Sequence, residues 1–177
     1  MTTEKTKLLI ADVLRELMKH QPLDKIRTSD ICSLAHIQRT TFYYHFKDKY
    51  DLVAWVFFHS FQDVDILNVD SAAQHMEQMK KDLLFYKRAY EDLSQNSFLE
   101  YLVEYFIAAY TAVAKEKLGV DSLEPQLSFS IRLYCYGAIY TAKEWVLHDD
   151  KTPAKDRIKM MFASMPASLQ KIYFHQS

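Results

Sequence analysis

The chain has 177 residues, of which 49% are hydrophobic and 25% are charged, and its formal net charge is −1. This length allows one small and one larger structural unit, but it excludes several independent domains. With only 2 Gly and 4 Pro, the chain lacks the turn residues that a β-sandwich or barrel requires, so we predict an all-α protein. The net charge excludes nucleic-acid binding by overall basicity and leaves only a local concentration of basic residues for it.

Amphipathic periodicity and helix-end signals divide the chain into eight predicted helices. In chain order they span about 3–19, 29–35, 39–45, 48–67, 71–93, 97–118, 125–147 and 153–174. Thr28 is the expected N-cap of the second helix, and Asp48 that of the fourth. A break is expected near Met79, Gly119 ends a helix, and Pro166 should kink or split the last one.

The stretch TSDICSLAHIQRTTFYYHFKDKYDL, residues 28 to 52, organises the rest of the chain. Its apolar positions fit two short helices and the start of a third, with the turn His36-Ile37-Gln38 between the first two. Five basic residues against two acidic ones give this region a local charge of +3 between Lys25 and Lys49. Two short helices joined by a tight turn form a helix-turn-helix, whose second helix can enter the major groove of DNA. We therefore interpret this stretch as a DNA-reading head.

The predicted domains follow from this interpretation. Residues 1–50 are expected to form the helix-turn-helix DNA-binding domain, and residues 51–177 a helical-bundle domain for dimerisation and effector binding. The fourth helix is expected to join the two directly, because no Gly/Ser-rich linker lies between them. Cys32 and Cys135 have no paired spacing and no secretory segment ahead of them, and no apolar run is long enough to span a bilayer. We therefore expect a cytoplasmic protein with no membrane partner.

At TTFYYHFKDKYDL (residues 40–52) the chain resembles the TetR family of bacterial transcriptional regulators. The resemblance rests on Thr41, Tyr43, His45, Phe46 and Lys49 at the family's spacing, and it covers about the first 55 residues. The remainder is similar to a branch from low-GC Gram-positive bacteria that includes dihydroxyacetone kinase activators. That similarity rests on FYKRAYEDLSQNSF (residues 85–98), on Tyr-Cys-Tyr at 134–136 and on Glu-Trp at 144–145.

The resemblance implies a set of DNA contacts. The implied DNA-binding residues are Thr28, Gln38, Arg39, Thr40, Thr41, Tyr43, Tyr44, His45 and Lys49. Arg39 and Thr40 would face base edges, whereas Lys49 and the hydroxyl of Thr28 would meet phosphates. The chain departs from the family at His36, where Gly or Asn is usual in the turn, and at Gln38, where Ser is frequent. Histidine tolerates a positive φ better than most bulky residues, so we expect His36 to adopt one.

The family resemblance also implies a homodimer that pairs through the last two helices and binds a palindromic operator in double-stranded DNA. The first hypothesis is that a small-molecule effector in the C-terminal domain controls operator affinity. The alternative is that the C-terminal domain binds a partner protein instead. A sealed body with an exposed apolar groove would favour the partner protein, and an enclosed cavity would favour the effector.

Several residues admit more than one interpretation. The candidate ligand-binding residues are Tyr86, Tyr101, Tyr105, Tyr134 and Tyr140. Aromatic residues at helical spacing more often form packed core, and Tyr43 and Tyr44 could likewise be packing residues with solvated hydroxyls. His59 and Asp63 lie one helical turn apart, but such pairs are more often solvated than metal-bound, so we predict no metal site and no cofactor. Because the chain contains no nucleophile elbow, phosphate loop or zinc-protease motif, we expect it not to be an enzyme.

Overall fold

The computed structural model describes residues 3–62, 64–91, 98–148 and 151–174. These residues form α-helices and one short 3-10 turn (Leu23–Lys25), with no strand among them, so the predicted all-α class is confirmed. The helices are α1 (Thr3–His20), α2 (Thr28–Leu34), α3 (Arg39–His45), α4 (Lys49–Ser60), α5 (Val69–Lys81), α6 (Leu83–Glu91), α7 (Phe98–Leu118), α8 (Pro125–His148), α9 (Ala154–Ala163) and α10 (Ala167–Phe174). None of these helices combines the length and apolarity needed to cross a membrane.

The predicted breaks near proline and glycine are confirmed. Gly119 has a φ of 66° and follows the last residue of α7, where the backbone N–H of Val120 donates to the carbonyl of Lys115 over 3.1 Å. Such a left-handed residue ends a helix by satisfying its last carbonyls. Pro166 separates α9 from α10, and the break expected near Met79 lies at Asp82. The Ser97 cap that was expected before α7 lies outside the described residues.

The fourth helix is shorter than predicted. It ends at Ser60 instead of about residue 67. Asp65 accepts a hydrogen bond from the backbone N–H of Leu67, and Asn68 accepts from the N–H groups of Asp70 and Ser71. These short polar side chains give the backbone an alternative to helical bonding. The predicted continuous helix was therefore wrong in this segment, because a periodicity argument does not register such turns.

The described residues form two compact units. The first comprises residues 1–63 and 81–98, and therefore contains α1–α4 and α6. Its core is built on fully buried side chains such as Leu14, Phe42 and Leu52. The second comprises residues 64–80 and 99–177. This division differs from the expected boundary at residue 50, because α4 and α6 pack into the same unit as the helix-turn-helix.

Three buried tyrosines and a cysteine form the core of the second unit. Tyr110, Tyr134 and Tyr173 are each less than 10% exposed, and the Tyr173 hydroxyl donates to the carbonyl of Tyr110 over 2.9 Å. The Tyr110 ring packs edge-on against both other rings, at centroid distances of 5.7 Å from Tyr134 and 5.2 Å from Tyr173. Cys135 is 1% exposed beside them. Each hydroxyl that is buried here needs a protein acceptor, and backbone carbonyls supply one for each ring.

We expect this core to make the protein sensitive to alkaline pH. Burial raises the pKa of Cys135 to about 12 and the pKa of Tyr110, Tyr134 and Tyr173 well above the ordinary 10.0. These groups stay protonated when folded, so their stabilisation is complete below the unfolded pKa values, 9.0 for Cys and 10.0 for Tyr, and declines above them. Each group contributes a slope of up to about 1.4 kcal/mol per pH unit.

Urea unfolding at a series of pH values between 8 and 11 would measure this decline. The variant Tyr134→Phe should show a shallower fall of unfolding free energy with pH than the native chain. Tyr140→Phe serves as the matched control, because Tyr140 is 49% exposed on the same helix. Equal slopes for the native chain and Tyr134→Phe would contradict the expectation.

Candidate nucleic-acid interface

The turn between α2 and α3 fixes the angle at which α3 leaves α2. His36 has a φ of 53°, so the expected positive φ at this departure from the family pattern is confirmed. The N–H of His36 donates to the carbonyl of Ser33 over 3.3 Å, and the N–H of Ile37 donates to the carbonyl of Cys32 over 3.0 Å. These paired bonds form a Schellman motif, which satisfies the last carbonyls of α2. A single left-handed residue therefore separates the two helices.

Helix α3 has one buried face and one exposed face. Phe42 is fully buried, and Phe46 directly after the helix is 2% exposed, so these two side chains anchor α3 to the first unit. On the other face Tyr43 is 56% exposed and Tyr44 is 78% exposed. The exposed predicted contact residues are Gln38, Arg39, Thr40, Tyr43 and Tyr44, and the half-buried ones are Thr41 and His45. The structure thus brings these seven residues together along a single helix and its first cap position.

Neither Tyr43 nor Tyr44 is a core residue. The Tyr43 ring contacts the edge of Phe42 at a centroid distance of 5.5 Å, and the Tyr44 ring contacts His45 at 4.9 Å. These contacts orient the rings while most of each side chain stays accessible to solvent. A large aromatic side chain held at the surface with its hydroxyl outward can donate a hydrogen bond to a phosphate oxygen. The packing interpretation of these two tyrosines is therefore not the one that the structure supports.

The carboxylates of the head cap its helices. Asp30 accepts a hydrogen bond from the backbone N–H of Arg27 over 3.0 Å. Asp48 accepts from the N–H groups of Tyr50 and Asp51 over 2.8 Å each, and Asp51 accepts from the N–H of Lys47 over 2.9 Å. Carboxylates held on backbone N–H groups are turned away from the exposed side of α3. The guanidinium of Arg39 and the ammonium of Lys47 remain in exposed side chains.

Two sequence expectations about helix ends need correction. Thr28 was expected to be the N-cap of α2, but Arg27 occupies the cap position and Thr28 is the first helical residue. The reason is that Asp30 reaches back to the N–H of Arg27, which fixes the start of the helix one residue earlier. Gln38 is the N-cap of α3 and makes no capping hydrogen bond through its side chain. Its amide is thereby available to a ligand in front of the helix.

Lys49 has a structural role that the sequence did not reveal. Its ammonium donates to the carbonyls of Leu23, Asp24 and Ile26 over 2.7, 3.2 and 2.9 Å. An ammonium has three N–H donors, and these three bonds use all of them. The phosphate contact implied by the family resemblance would require at least one of these bonds to break. The structure therefore places Lys49 as a clamp between the start of α4 and the turn before α2.

Arg88 holds the same segment from the other side. Its guanidinium donates to the carbonyl of Met18 and, over 2.7 Å, to the carbonyl of Gln21, at the end of α1. A second link joins Arg15 of α1 to Asp82, with 3.1 Å between Nε and the carboxylate. Sequence reasoning missed both links because partners about 70 residues apart leave no local pattern. Helix α6 is thereby attached to the helix that carries the head's core.

The five candidate ligand-binding tyrosines have different environments. Tyr86 is buried in the first unit and packs edge-on against Phe57 at 6.2 Å, and burial raises its pKa. Tyr134 is buried in the second unit, whereas Tyr105 and Tyr140 are exposed and Tyr101 is half-buried. A groove of about 360 Å³ opens between α8 and α9 in the second unit. Of the five, only Tyr134 lines it, together with side chains such as Leu133, Met160 and Arg157.

The histidine considered as a metal ligand has other partners. The His59 ring stacks on Trp55 at 4.6 Å and lies 3.4 Å from the carboxylate of Glu4. Asp63, its possible fellow ligand, lies outside the described residues. Across the described part of the chain, no three His, Cys, Asp or Glu side chains are grouped as a metal site would require.

Comparison with known proteins agrees with this geometry. Residues 10–56 match the family model for bacterial regulatory proteins of the tetR family, and residues 70–166 match the model for a transcriptional regulator C-terminal region, TetR_C_8. The HTH-type dhaKLM operon transcriptional activator DhaS of Lactococcus lactis subsp. lactis (strain IL1403) is 34% identical over 59 residues. That match covers 33% of this chain and 32% of the relative, so it spans about a third of the relative's length.

The similarity in fold extends over nearly the whole chain. The solved structure of the dihydroxyacetone kinase operon activator DhaS matches with a TM-score of 0.61 and 16% sequence identity, covering 94% of this chain and 97% of that one. At this identity the match shows the fold alone. The family models, by contrast, match both the head and more than half of the chain in total. The chain belongs to the TetR family of bacterial transcriptional regulators.

Proposed function

We propose that the protein is a homodimeric regulator that binds a palindromic operator through α3 and pairs through its last helices. The observation that carries the proposal is the exposed face of α3. It presents a guanidinium, amide and hydroxyl groups and two accessible tyrosines on a helix that Phe42 anchors from behind. A helix of this kind fits the major groove, where arginine forms paired hydrogen bonds with guanine. Binding to chromosomal DNA would place the protein in the cytoplasm.

Within the proposal, the contact residues have distinct roles. Arg39 and Thr40 at the start of α3 read base edges, and Gln38 contacts a base or phosphate there. Thr41, Tyr43, Tyr44 and His45 contact the groove wall and phosphates. Thr28 at the start of α2 contributes a phosphate contact, whereas Lys49 acts on DNA binding by holding the turn before α2. In a homodimer the two α3 helices would lie roughly 34–36 Å apart or at a multiple of that distance.

Selection of bound DNA from a random pool tests this proposal. We expect an inverted repeat with half-sites about one helical turn apart, or a multiple of it, and two chains bound per site. Footprinting should show protection on one side of the duplex. Selection of a single half-site, or recovery of no preferred sequence at low salt, would contradict the proposal.

Control of operator affinity is the second part of the proposal. A small-molecule effector in the C-terminal domain would shift the operator affinity by stabilising one arrangement of the two heads, typically by about 1–3 kcal/mol. The buried tyrosines Tyr86 and Tyr134 and the half-buried Tyr101 support this part only as rigid aromatic surface with hydroxyl groups.

A partner protein is the second candidate for this control. Leu118 is 46% exposed and Val120 is 41% exposed where the chain leaves α7. Apolar side chains grouped at the surface are typical of protein contacts. If a partner protein binds there, the double variant Leu118→Asp/Val120→Asp should retain operator binding and lose its response in the native host. A small-molecule effector would leave that response intact.

A further inference from the structure

We propose that Gly137 is the point at which α8 of one copy crosses α8 of a second copy. This inference depends on the homodimer of the proposed function and specifies which residues of the last helices meet. The occupant of the exposed face of α8 is thus a second copy of this chain.

The first argument is the position of Gly137. It lies in the interior of the 24-residue helix α8 and is exposed. A Cβ atom added at Gly137 would meet no atom of the chain within 4 Å. A glycine in a helix interior destabilises the helix by roughly 0.5–1 kcal/mol relative to alanine. Because nothing in the single chain uses the space above Gly137, a partner backbone or ring that approaches closely there explains the residue.

The second argument is the apolar stripe along the same face. Phe129 is 66% exposed, Leu133 61%, Tyr136 40% and Tyr140 49%. Their spacings of 4, 3 and 4 residues place them on one side of α8, with Gly137 one turn after Leu133. An exposed helix face normally carries polar side chains, and a continuous apolar stripe of this length indicates a protein contact.

The third argument is that this face carries both a protrusion and a recess. The groove of about 360 Å³ lies against the stripe, and Leu133 and Gly137 line it together with Met160 of α9. A two-fold interface uses the same patch on both subunits, so the patch must complement itself. The rings of Tyr136 and Tyr140 are the protrusions beside this recess. A two-fold crossing at Gly137 sets these rings of each copy against the groove of the other.

Charges at the ends of the stripe favour an antiparallel crossing. Arg132 lies towards the N-terminal end of α8 and Glu144 towards its C-terminal end, and both are exposed. An antiparallel pair brings the arginine of one helix towards the glutamate of the other, whereas a parallel pair brings like charges together. Two-fold symmetry about an axis perpendicular to α8 produces the antiparallel arrangement.

Size and cross-linking measurements on the full chain test the inference. Gly137→Leu places a large side chain at the crossing and should weaken dimerisation on the order of tenfold to 100-fold, measured by sedimentation over a concentration series. Gly137→Ala improves helix propensity and adds only a methyl group, so it should dimerise better than the leucine variant. Ala112→Leu, at an exposed small residue of α7, is the matched control and should dimerise as the native chain does. Circular dichroism would establish that every variant is folded.

A cysteine at the crossing gives a positive readout. The native Cys32 and Cys135 are both buried. In Gly137→Cys the two introduced thiols would face each other across the axis, so oxidation should join two copies covalently. Ala112→Cys should not cross-link. Disulfide formation requires the two Cα atoms to be within about 7 Å.

The outcomes separate this inference from the proposed function. A native chain that stays at the 20.9 kDa monomer mass at all concentrations would overturn both the homodimer and the crossing, and would leave the groove to another partner. A native dimer that Gly137→Leu does not weaken, and that Gly137→Cys does not cross-link, would overturn the crossing alone. Weakening by leucine together with cross-linking by cysteine would support it.

Discussion

Replacing Arg39 with alanine is expected to weaken operator binding by about tenfold to 100-fold, the range for loss of one paired guanine contact in each half-site. Arg39 is the first residue of α3 and is exposed, so the substitution removes no buried contact of the folded chain. The thermal unfolding midpoint should therefore stay close to that of the native chain. Discrimination at one base pair of each half-site should relax, because a base contact carries sequence information whereas a phosphate contact does not.

Gel-shift titration at fixed salt with the selected operator, and with operators changed at single base pairs, measures both effects. Lys81→Ala is the charge-matched control, because Lys81 is exposed at the end of α5. That variant should keep the native affinity and base preference. Equal affinity of Arg39→Ala and the native chain for the operator would remove α3 from the role proposed for it.

Local periodicity was sufficient to predict the reading helix. Within residues 39–45, Phe42 marks the buried face while Arg39, Thr40, Tyr43 and Tyr44 fall on the exposed one. Both faces can be derived from the helical repeat, because the apolar and polar positions separate at that period. The turn could also be derived, since a residue that tolerates positive φ must stand where α2 ends. These features depend on residues fewer than five positions apart.

The features that the sequence did not predict depend on distant partners. Lys49 meets carbonyls 23–26 residues away, and Arg88 meets carbonyls 67–70 residues away. A lysine or arginine on an amphipathic helix has the same local pattern whether it is solvated, bound to phosphate or clamped on backbone. The grouping of tyrosines into one pocket failed for a related reason. Helical spacing places Tyr86 and Tyr134 on inward faces without stating which core each one enters.

The position of α6 bears on how the family's two matched regions divide. The family model of the C-terminal region begins at residue 70, yet α6 belongs to the same compact unit as the head. Arg88 and the Arg15–Asp82 pair connect α6 to α1, and the clamp of Lys49 continues from the end of α1 to the start of α4. A shift of α6 would therefore act on the segment that supports α2 and α3. Rigid packed elements of this kind transmit small displacements without large rearrangement.

Lys49→Met provides the test that separates a clamp from a DNA contact. The methionine side chain has a similar length but no donor, so the carbonyls of Leu23, Asp24 and Ile26 lose their ammonium partner. Leu23 and Ile26 are each 1% exposed, and hydrogen bonds to charged groups contribute about 1.5–3 kcal/mol each in net terms. Because the clamp is half-buried and water can replace part of it, we expect the free energy of unfolding to fall by about 2 kcal/mol.

Urea unfolding of Lys49→Met, beside Lys47→Met as the matched control, measures this loss. Lys47 is exposed two residues earlier, so its replacement should change stability by no more than about 0.5 kcal/mol. Salt titration of operator binding then decides the role of Lys49. A phosphate contact would contribute about 0.9 to the slope of log affinity against log salt for each site, whereas a clamp contributes nothing to that slope. We expect Lys49→Met to be less stable with an unchanged slope, and a native stability with a reduced slope would instead identify Lys49 as a phosphate contact.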